Sequence, residues 1–307
     1  MRPVFRFRPN QPVSWYSQRR ENSNQHCLYC GQFIGVRSTA ESSREHWVAR
    51  NFVPRGTLDS SAFNFIFRAC VACNRRKADA ERHVSSVSLL NSPAREHDPR
   101  AEAEAIRKAS KDFHPTKKGK LVQDAWISHE ITSEFGAAAF SFNLVAPPQL
   151  AREPTMLLAF NHVQAAFSLI ASLDPRVGET TTLLAVKFWK YFGAFAAGDW
   201  GNPQLVEVAS RVAARPILAH IHTADGYFKF IARRDDPDGS EWFWALEWNK
   251  AYRVFGAINA PDVTPDTFSN LPALDWQASP DGRRRFRTEI PASPATDTLF
   301  EFLPGAI

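Results

Sequence analysis

The sequence predicts an α+β protein in which a small metal-bound module precedes a larger α+β domain. Two observations lead to this prediction. The four cysteines of the 307-residue chain form two C-x-x-C pairs, Cys27/Cys30 and Cys70/Cys73. In the second half, apolar stretches of helical length are followed by short alternating segments between turn residues. That order is typical of helices followed by an antiparallel meander.

The two cysteine pairs predict a zinc site. Each C-x-x-C supplies two thiolates, and two pairs complete a tetrahedral shell that leaves no position open for water. We therefore expect Cys27, Cys30, Cys70 and Cys73 to be structural zinc ligands, one ion per chain. The alternative is two unrelated thiol pairs or a redox pair. The Asn-Arg-Arg-Lys run beside the second pair favours metal ligation in a reducing cytosol.

Polar residues occur around the cysteines in a fixed order. They are Glu45, His46, Asn64, Asn74 and Lys77. This ordered set resembles the HNH endonucleases of the ββα-metal type, and the resemblance covers residues 25–90, under a third of the chain. It implies a ββα module that hydrolyses phosphodiester bonds in nucleic acid.

The resemblance assigns the chemistry to three of these side chains. His46 would be the general base, because a neutral imidazole can accept a proton from water near neutral pH; the alternative is a structural histidine. Glu45 and Asn74 would hold a catalytic Mg²⁺ or Mn²⁺, since oxygen donors suit hard cations. Adjacent strand residues point to opposite faces, so Glu45 and His46 can serve one site only where the strand bulges or ends.

The remaining motif residues have supporting roles in this interpretation. Asn64 would fix the loop that faces the base, although an ordinary turn asparagine is equally consistent with its position. A helix is predicted from Asn74 to about residue 90, with Glu45 and His46 at the start of the ribbon before it. Arg75, Arg76 and Lys77 would bind phosphate in its first turn, where backbone N–H groups also favour an anion. The alternative is a solvated helix face.

Charge and hydropathy limit the classes of partner. The formal net charge of +5 permits a polyanionic partner without requiring one. The basic N-terminal arm, residues 1–24, would either lie on phosphates or form an edge strand, and its partial alternation favours the strand. The sequence shows no signal peptide and no apolar stretch long enough to span a bilayer, so we expect a cytoplasmic protein without a membrane partner.

The rest of the chain is predicted to contain a connector and a second domain. Residues 91–120 would form a linker with a charged helix and contain the domain boundary. Residues 121–307 would form the larger α+β domain. Its predicted helices are 156–173, 182–197 and 203–214, and its predicted strands are 140–145, 217–222, 227–233, 241–248 and 252–258.

Two features of the second domain have more than one interpretation. Trp242, Trp244, Leu246 and Trp248 alternate along one segment. They predict a sheet face buried against helices, and a base-stacking platform is the alternative. The basic run 283–287 is equally consistent with phosphate contacts and with a charged hairpin edge.

The sequence therefore predicts a metal-dependent HNH endonuclease that acts on nucleic acid, with double-stranded DNA as the expected substrate. Residues 121–307 would set specificity, regulate activity, or bind a protein partner or a second copy of the chain. Two alternatives are a non-catalytic zinc-ribbon DNA-binding protein and an RNA-directed nuclease or toxin. Defence against foreign DNA is a role suggested only by analogy with the family.

Overall fold

The computed structural model describes most of the chain: residues 5–6, 12–59, 62–135, 138–171, 189–234, 241–258, 266–278, 282 and 285–301. The fold is mixed α and β, as predicted. The α-helices of this part are α1 Val71–Leu90, α2 Pro99–Ala109, α3 Arg152–Ala171 and α4 Pro203–Ala213. The strands are β1 Phe5–Arg6, β2 Val13–Ser14, β3 Ser42–His46, β4 Phe65–Cys70, β5 Ile127–Phe135, β6 Ala138–Ala146, β7 Trp189–Ala196, β8 Ile217–Thr223, β9 Phe228–Arg234, β10 Trp242–Trp248, β11 Tyr252–Ile258, β12 Gln277–Ala278 and β13 Arg285–Phe286.

The largest sheet has six strands in the order β1-β8-β9-β10-β11-β7. Strands β8 to β11 form the antiparallel meander that the turn residues predicted. The N-terminal β1 pairs with β8 in parallel at one edge, so this part of the basic arm forms the edge strand that its alternation favoured. Strand β7 pairs antiparallel with β11 at the other edge.

A second sheet of three strands leads into the second cysteine pair, with Cys70 at the end of β4. Strands β3 and β4 are antiparallel, β2 adds to β4 in parallel, and β4 continues directly into α1. The order strand, strand, helix is the one that the resemblance implied for residues 25–90. The ribbon begins earlier than expected, because Glu45 and His46 lie at the end of β3 rather than at its start. Helix α1 also begins earlier, at Val71.

One face of the large sheet is the buried aromatic surface that the alternation of β10 favoured. Trp244, Leu246 and Trp248 are almost fully buried, and Phe167 of α3 packs on the half-buried Trp242. Burial at this depth leaves no stacking surface on Trp244 or Trp248, and Phe167 covers part of Trp242. The opposite face packs against α4 and the segment around Phe300.

The two sheets meet through aromatic side chains. Trp47, directly after β3, packs against Phe228 and Phe230 of β9, and its indole N–H donates to the His162 carbonyl of α3 at 2.8 Å. The Thr223 hydroxyl donates to the carbonyl of Phe63 at 2.7 Å. We call residues 25–90 the cysteine module. One continuous hydrophobic cluster includes residues of this module and residues of the large sheet.

The predicted linker is built into this arrangement. Helix α2 lies within residues 91–120 and buries Ala101, Ala105 and Ala109, one side of its surface. Arg95 Nε donates to Glu102 Oε2 at 2.6 Å, which holds the segment before α2 against the helix. The position of the domain boundary stays a prediction.

One predicted helix is wrong. Residues 189–196 of the predicted helix 182–197 form strand β7, while residues 182–188 lie outside the described part of the chain. The run is apolar nearly all round, which is consistent with a helix or a strand. Its pairing with β11, some sixty positions later in the sequence, makes it a strand. In the basic run 283–287, residues 283 and 284 also lie outside that part. Arg287 forms an ion pair with Asp199 rather than a free cationic surface.

Candidate metal centre and adjacent polar site

The four cysteines come together in one cluster. Their sulfur atoms all lie within 4.8 Å of one another, and the Sγ atoms of Cys30 and Cys70 are 3.9 Å apart. Four sulfurs placed tetrahedrally about 2.3 Å from a zinc ion are separated by about 3.8 Å. The cluster therefore has the size and the donors of a Cys₄ site that could hold a metal such as zinc.

Local structure explains how each pair reaches the cluster. The first pair lies in a tight turn in which the Gly31 N–H donates to the Cys27 carbonyl at 2.8 Å. Gly31 has φ +75°, a conformation that a glycine adopts without steric cost. In the second pair, Cys70 ends β4 and Cys73 lies in the first turn of α1. The strand-to-helix junction thus presents both sulfurs to the turn.

The four sulfurs lie close enough to share protons through hydrogen bonds, which shifts the pKa values of the thiols in opposite directions. Hydrogen bonds with the Cys27 and Cys73 thiols lower the pKa of Cys30 to about 2, and hydrogen bonding with Cys30 and Cys73 raises the pKa of Cys27. The Arg76 Nη2 donates to Cys73 Sγ at 3.3 Å, a contact that favours a thiolate. A divalent cation would allow all four sulfurs to ionise.

His46 is the last residue of β3, and its side chain is partly accessible to solvent. Its imidazole is half-buried, and within the described residues no group forms a hydrogen bond with its ring. Partial burial, followed by the charge of Arg44, lowers the pKa of His46 below its ordinary value of 6.5. The ring is therefore neutral at physiological pH and has a nitrogen free to accept a proton.

Lys77 is buried between two carboxylates rather than exposed on the helix surface. Its side chain is 1% exposed, and its Nζ lies 2.7 Å from Glu45 Oε1, 2.7 Å from Glu81 Oε1 and 3.0 Å from the His46 carbonyl oxygen. An ammonium has three donors, and these contacts use all of them. In this structure Lys77 therefore has no donor left for a phosphate oxygen, and phosphate binding by Lys77 stays a prediction without a contact that supports it. Lys77 instead ties the end of β3 to α1 and fixes the backbone of His46.

One buried ammonium, that of Lys77, lies between the buried carboxylates of Glu45 and Glu81. Burial opposes the charge of Lys77, but Glu45 and Glu81 raise its pKa above the ordinary value. Burial raises the pKa of Glu81, and the charge of Lys77 opposes that rise. Tyr29 adds a hydrogen bond from its hydroxyl to Glu45 Oε1 at 3.1 Å. Tyr29 and Glu81 were missed by the sequence analysis, although the i,i+4 spacing of Lys77 and Glu81 was a usable signal.

Glu45 and Asn74 have oxygen atoms left for a cation. Glu45 uses Oε1 for its contacts, so Oε2 is the oxygen that remains. The Asn74 Nδ2 donates to Ser43 Oγ at 2.8 Å and to the Arg44 carbonyl at 3.2 Å, which leaves its Oδ1. Ser43 and Glu45 share one face of β3, so Asn74 lies on the face of Glu45. His46 belongs to the other face, at the position where the strand ends.

Asn64 holds the loop that follows His46. Its Oδ1 accepts from the Val48 N–H at 3.1 Å and from the Phe65 N–H at 2.9 Å, and its Nδ2 donates to the Val48 carbonyl at 2.7 Å. The buried amide therefore joins the two ends of the loop 47–64. These are the contacts that the loop-fixing role implied by the resemblance would require, and that role stays a prediction.

The two predicted phosphate-binding arginines lie on the exposed side of α1. Arg75 and Arg76 are exposed, and the guanidinium of Arg76 also contacts Cys73. Because α1 begins at Val71, both arginines lie after its first turn. The N–H groups of the helix terminus lie beside Cys70 and Cys73 instead, and that of Val71 already donates to the Glu41 carbonyl at 3.0 Å. Lys77 is buried and Arg76 contacts Cys73, so Arg75 is the predicted phosphate ligand that is exposed without a contact to the cysteine cluster.

No protein-family model, curated protein or solved structure matches the chain. Among the described helices, none has the length and apolar content that a membrane span requires.

Proposed function

We propose that the chain is a metal-dependent endonuclease of the HNH type and that its substrate is double-stranded DNA. The observation that carries the proposal is the arrangement of residues 42–90: an antiparallel ribbon that ends at an accessible, neutral His46 and leads into the helix bearing Asn74. The Cys₄ cluster fixes the junction of ribbon and helix. The order of the motif residues along the chain supports the same family.

The proposed reaction uses the groups of this site in distinct ways. His46 takes a proton from the attacking water, and its carbonyl contact with Lys77 keeps the end of β3 in place. Arg75, on the exposed side of α1, contacts phosphate. Glu45 and Asn74, through the oxygens that their other contacts leave, would hold Mg²⁺ or Mn²⁺. Such an ion, when bound, polarises the scissile phosphate and offsets charge on the leaving oxygen.

A second candidate function is a non-catalytic zinc-ribbon DNA-binding protein. The observation in its favour is the burial of Glu45, whose Oε1 is already paired with Lys77, because a carboxylate this enclosed is a poor ligand for an exchangeable ion. An RNA-directed nuclease or toxin is the third candidate, since a ββα site that contacts the phosphate backbone does not distinguish the two nucleic acids.

Cleavage assays with two substrates separate these candidates. Purified protein is incubated with supercoiled plasmid or with single-stranded RNA, with Mg²⁺, with Mn²⁺ or with neither. The proposal predicts plasmid nicking or linearisation that requires the divalent ion. Plasmid binding without cleavage in either ion would favour the zinc-ribbon protein, and cleavage of the RNA alone would favour the RNA-directed nuclease.

The remaining part of the proposal concerns context. We assign the protein to the cytoplasm, where thiols stay reduced and the Cys₄ cluster can hold zinc. Residues 121–307 would select the substrate, regulate cleavage, or bind a protein partner or a second copy of the chain. Size-exclusion chromatography with light scattering distinguishes a monomer from a dimer.

A further inference from the structure

A cavity with a basic lining lies between helices α1 and α2. Its volume is about 300 Å³, and the segment 49–52 closes one side. Four cationic side chains line it, and they are Arg82, Arg107, Lys108 and Lys111. Two acidic side chains, Glu81 and Asp112, also line it. None of these cations belongs to the nuclease site proposed above.

Lys108 is the unusual member of this set. It is 6% exposed, and within the described residues its ammonium forms neither a hydrogen bond nor an ion pair. Lysines are almost never buried to this degree unless they are paired. The Lys108 Nζ is not one of the fully enclosed polar atoms of the described residues, so it reaches the space of the cavity. Burial lowers the pKa of Lys108 accordingly, against the attraction of Asp112 and Glu104. The cavity is the space into which a partner for Lys108 would fit.

The acidic groups near the cavity are already engaged. Glu81 accepts from Lys77 Nζ at 2.7 Å and from the Ala49 N–H at 3.3 Å. Asp112 accepts from the Ser86 hydroxyl. Glu104 is paired with Arg107 and lies 3.5 Å from Arg55. Lys77 offsets the charge of Glu81, and Arg107 offsets that of Glu104, whereas the Ser86 hydroxyl leaves the charge of Asp112 in place. Arg82 lies 3.5 Å from Asp79. Within the described residues, Lys108 and Lys111 are therefore the lining cations without an ion pair.

We propose that this cavity is a binding site for a phosphate group, with Lys108 as its central ligand. A tetrahedral anion with several acceptor oxygens suits a cavity lined by the ammonium groups of Lys108 and Lys111 and by the guanidinium of Arg82. The volume lies at the lower end of the range for small-molecule sites, so orthophosphate or a mononucleotide fits the space. Bound phosphate supplies the counter-charge that Lys108 lacks.

The test measures phosphate binding to the full, zinc-loaded chain without DNA or Mg²⁺. Isothermal titration calorimetry with orthophosphate is run on wild type, Lys108→Met and Lys118→Met, at constant ionic strength set with chloride. Lys118 is exposed in the loop after α2, so its variant removes the same charge away from the cavity. We expect saturable 1:1 binding in wild type and Lys118→Met, and at least a tenfold loss in Lys108→Met.

Methionine keeps the apolar stem of Lys108 and removes an unpaired buried charge, so Lys108→Met should unfold at a temperature no lower than wild type. A second variant, Lys111→Met at the exposed rim of the cavity, should weaken binding by a smaller factor and keeps the test valid if Lys108→Met fails to fold. Absence of saturable binding to wild type, or equal binding in the variants and wild type, would overturn the proposal.

Two further titrations identify the source of the phosphate. Adenosine 5′-monophosphate that binds more tightly than orthophosphate, with the same dependence on Lys108, indicates a mononucleotide. A single-stranded oligonucleotide that alone shows this dependence would overturn the small-ligand site and assign the cavity to a substrate strand. Because the titrations contain no catalytic metal, they test the phosphate site independently of the nuclease. Absence of phosphate binding alongside plasmid cleavage would count against the cavity alone, and phosphate binding without cleavage would count against the nuclease alone.

Discussion

The cysteine module and the six-stranded sheet are stabilised in different ways. In the module, four sulfurs and the Glu45–Lys77–Glu81 cluster join segments that contribute few residues each. In the sheet, long strands bury large aromatic side chains such as Trp244 and Trp248. Ligation and buried ion pairs fail when one member is removed, whereas hydrophobic packing weakens by increments. Point changes should therefore affect the module more abruptly than the sheet.

The strongest test of this contrast is removal of one cysteine of the sulfur cluster. Cys70→Ser removes one of four ligands, and structural zinc contributes about 10–16 kcal/mol in small zinc domains. We expect the variant to bind no zinc and to lose amide protection in residues 27–90. Strands β9 to β11 should keep theirs. Elemental analysis and hydrogen exchange provide the two measurements.

Wild type should contain one zinc per chain by the same elemental analysis, with thiols that titrate slowly in the folded protein. Cys70→Ser with protection lost equally across β9–β11 would show that the module and the sheet unfold as one unit through the junction at Trp47. Wild-type protein that contains no zinc would contradict the prediction that the four cysteines bind a zinc ion.

The second test concerns the buried ion cluster. Lys77→Met leaves Glu45 and Glu81 buried without their cation, and breaking a buried pair in this way costs about 3–5 kcal/mol. Urea unfolding should show a loss of stability in that range. Lys77→Met/Glu81→Gln removes one of the two orphaned carboxylates and should recover part of it. If Lys77→Met keeps the stability of wild type but binds DNA more weakly, Lys77 acts as a phosphate ligand and the ion cluster is not what stabilises this region.

A smaller effect is expected at His83, which ties α1 to the start of α3. The Ala151 N–H donates to His83 Nε2 at 2.8 Å, and burial, with the nearby His114, lowers the pKa of His83 to about 4. The folded state therefore binds fewer protons than the unfolded state below pH 6.5. The neutral form of His83 therefore makes its full contribution to the free energy of unfolding above pH 6.5. That contribution falls by up to about 3 kcal/mol as the pH is lowered to 4.

His83→Gln is the matched control, because its side-chain oxygen can accept from Ala151 and does not titrate. Urea unfolding from pH 7 to pH 4 should give a flatter stability profile in this variant than in wild type. Parallel profiles would assign the acid sensitivity to other groups.

The parts of the fold that follow from local chemistry were accessible to the sequence. Two C-x-x-C pairs have few physical uses, so the cysteine cluster could be predicted, and turn residues located the meander, with strand Tyr252–Ile258 predicted at its observed bounds. Strand β7 could not be predicted in the same way. An apolar run without periodicity is consistent with a helix or a strand, and a distant partner decides between them.

The position of Lys77 shows the same limitation at the candidate site. Within the Asn-Arg-Arg-Lys run, all three cations suggest a solvated or phosphate-binding surface. Burial of the third depends on Glu45, which comes from a strand 32 positions earlier in the chain. Phosphate binding by Arg75, and catalysis by His46, stay predictions.

The most direct test of the proposed function is the cleavage rate of His46→Ala. The imidazole lies outside the sulfur cluster, so the variant should keep its zinc, its fold and its affinity for DNA. Plasmid cleavage in Mg²⁺ or Mn²⁺ should fall by about 10²–10⁴-fold, the usual contribution of a positioned general base. His97→Ala, which alters an exposed histidine before α2, should cleave as wild type does. Full activity of His46→Ala, in a preparation free of contaminating nuclease, would contradict the account.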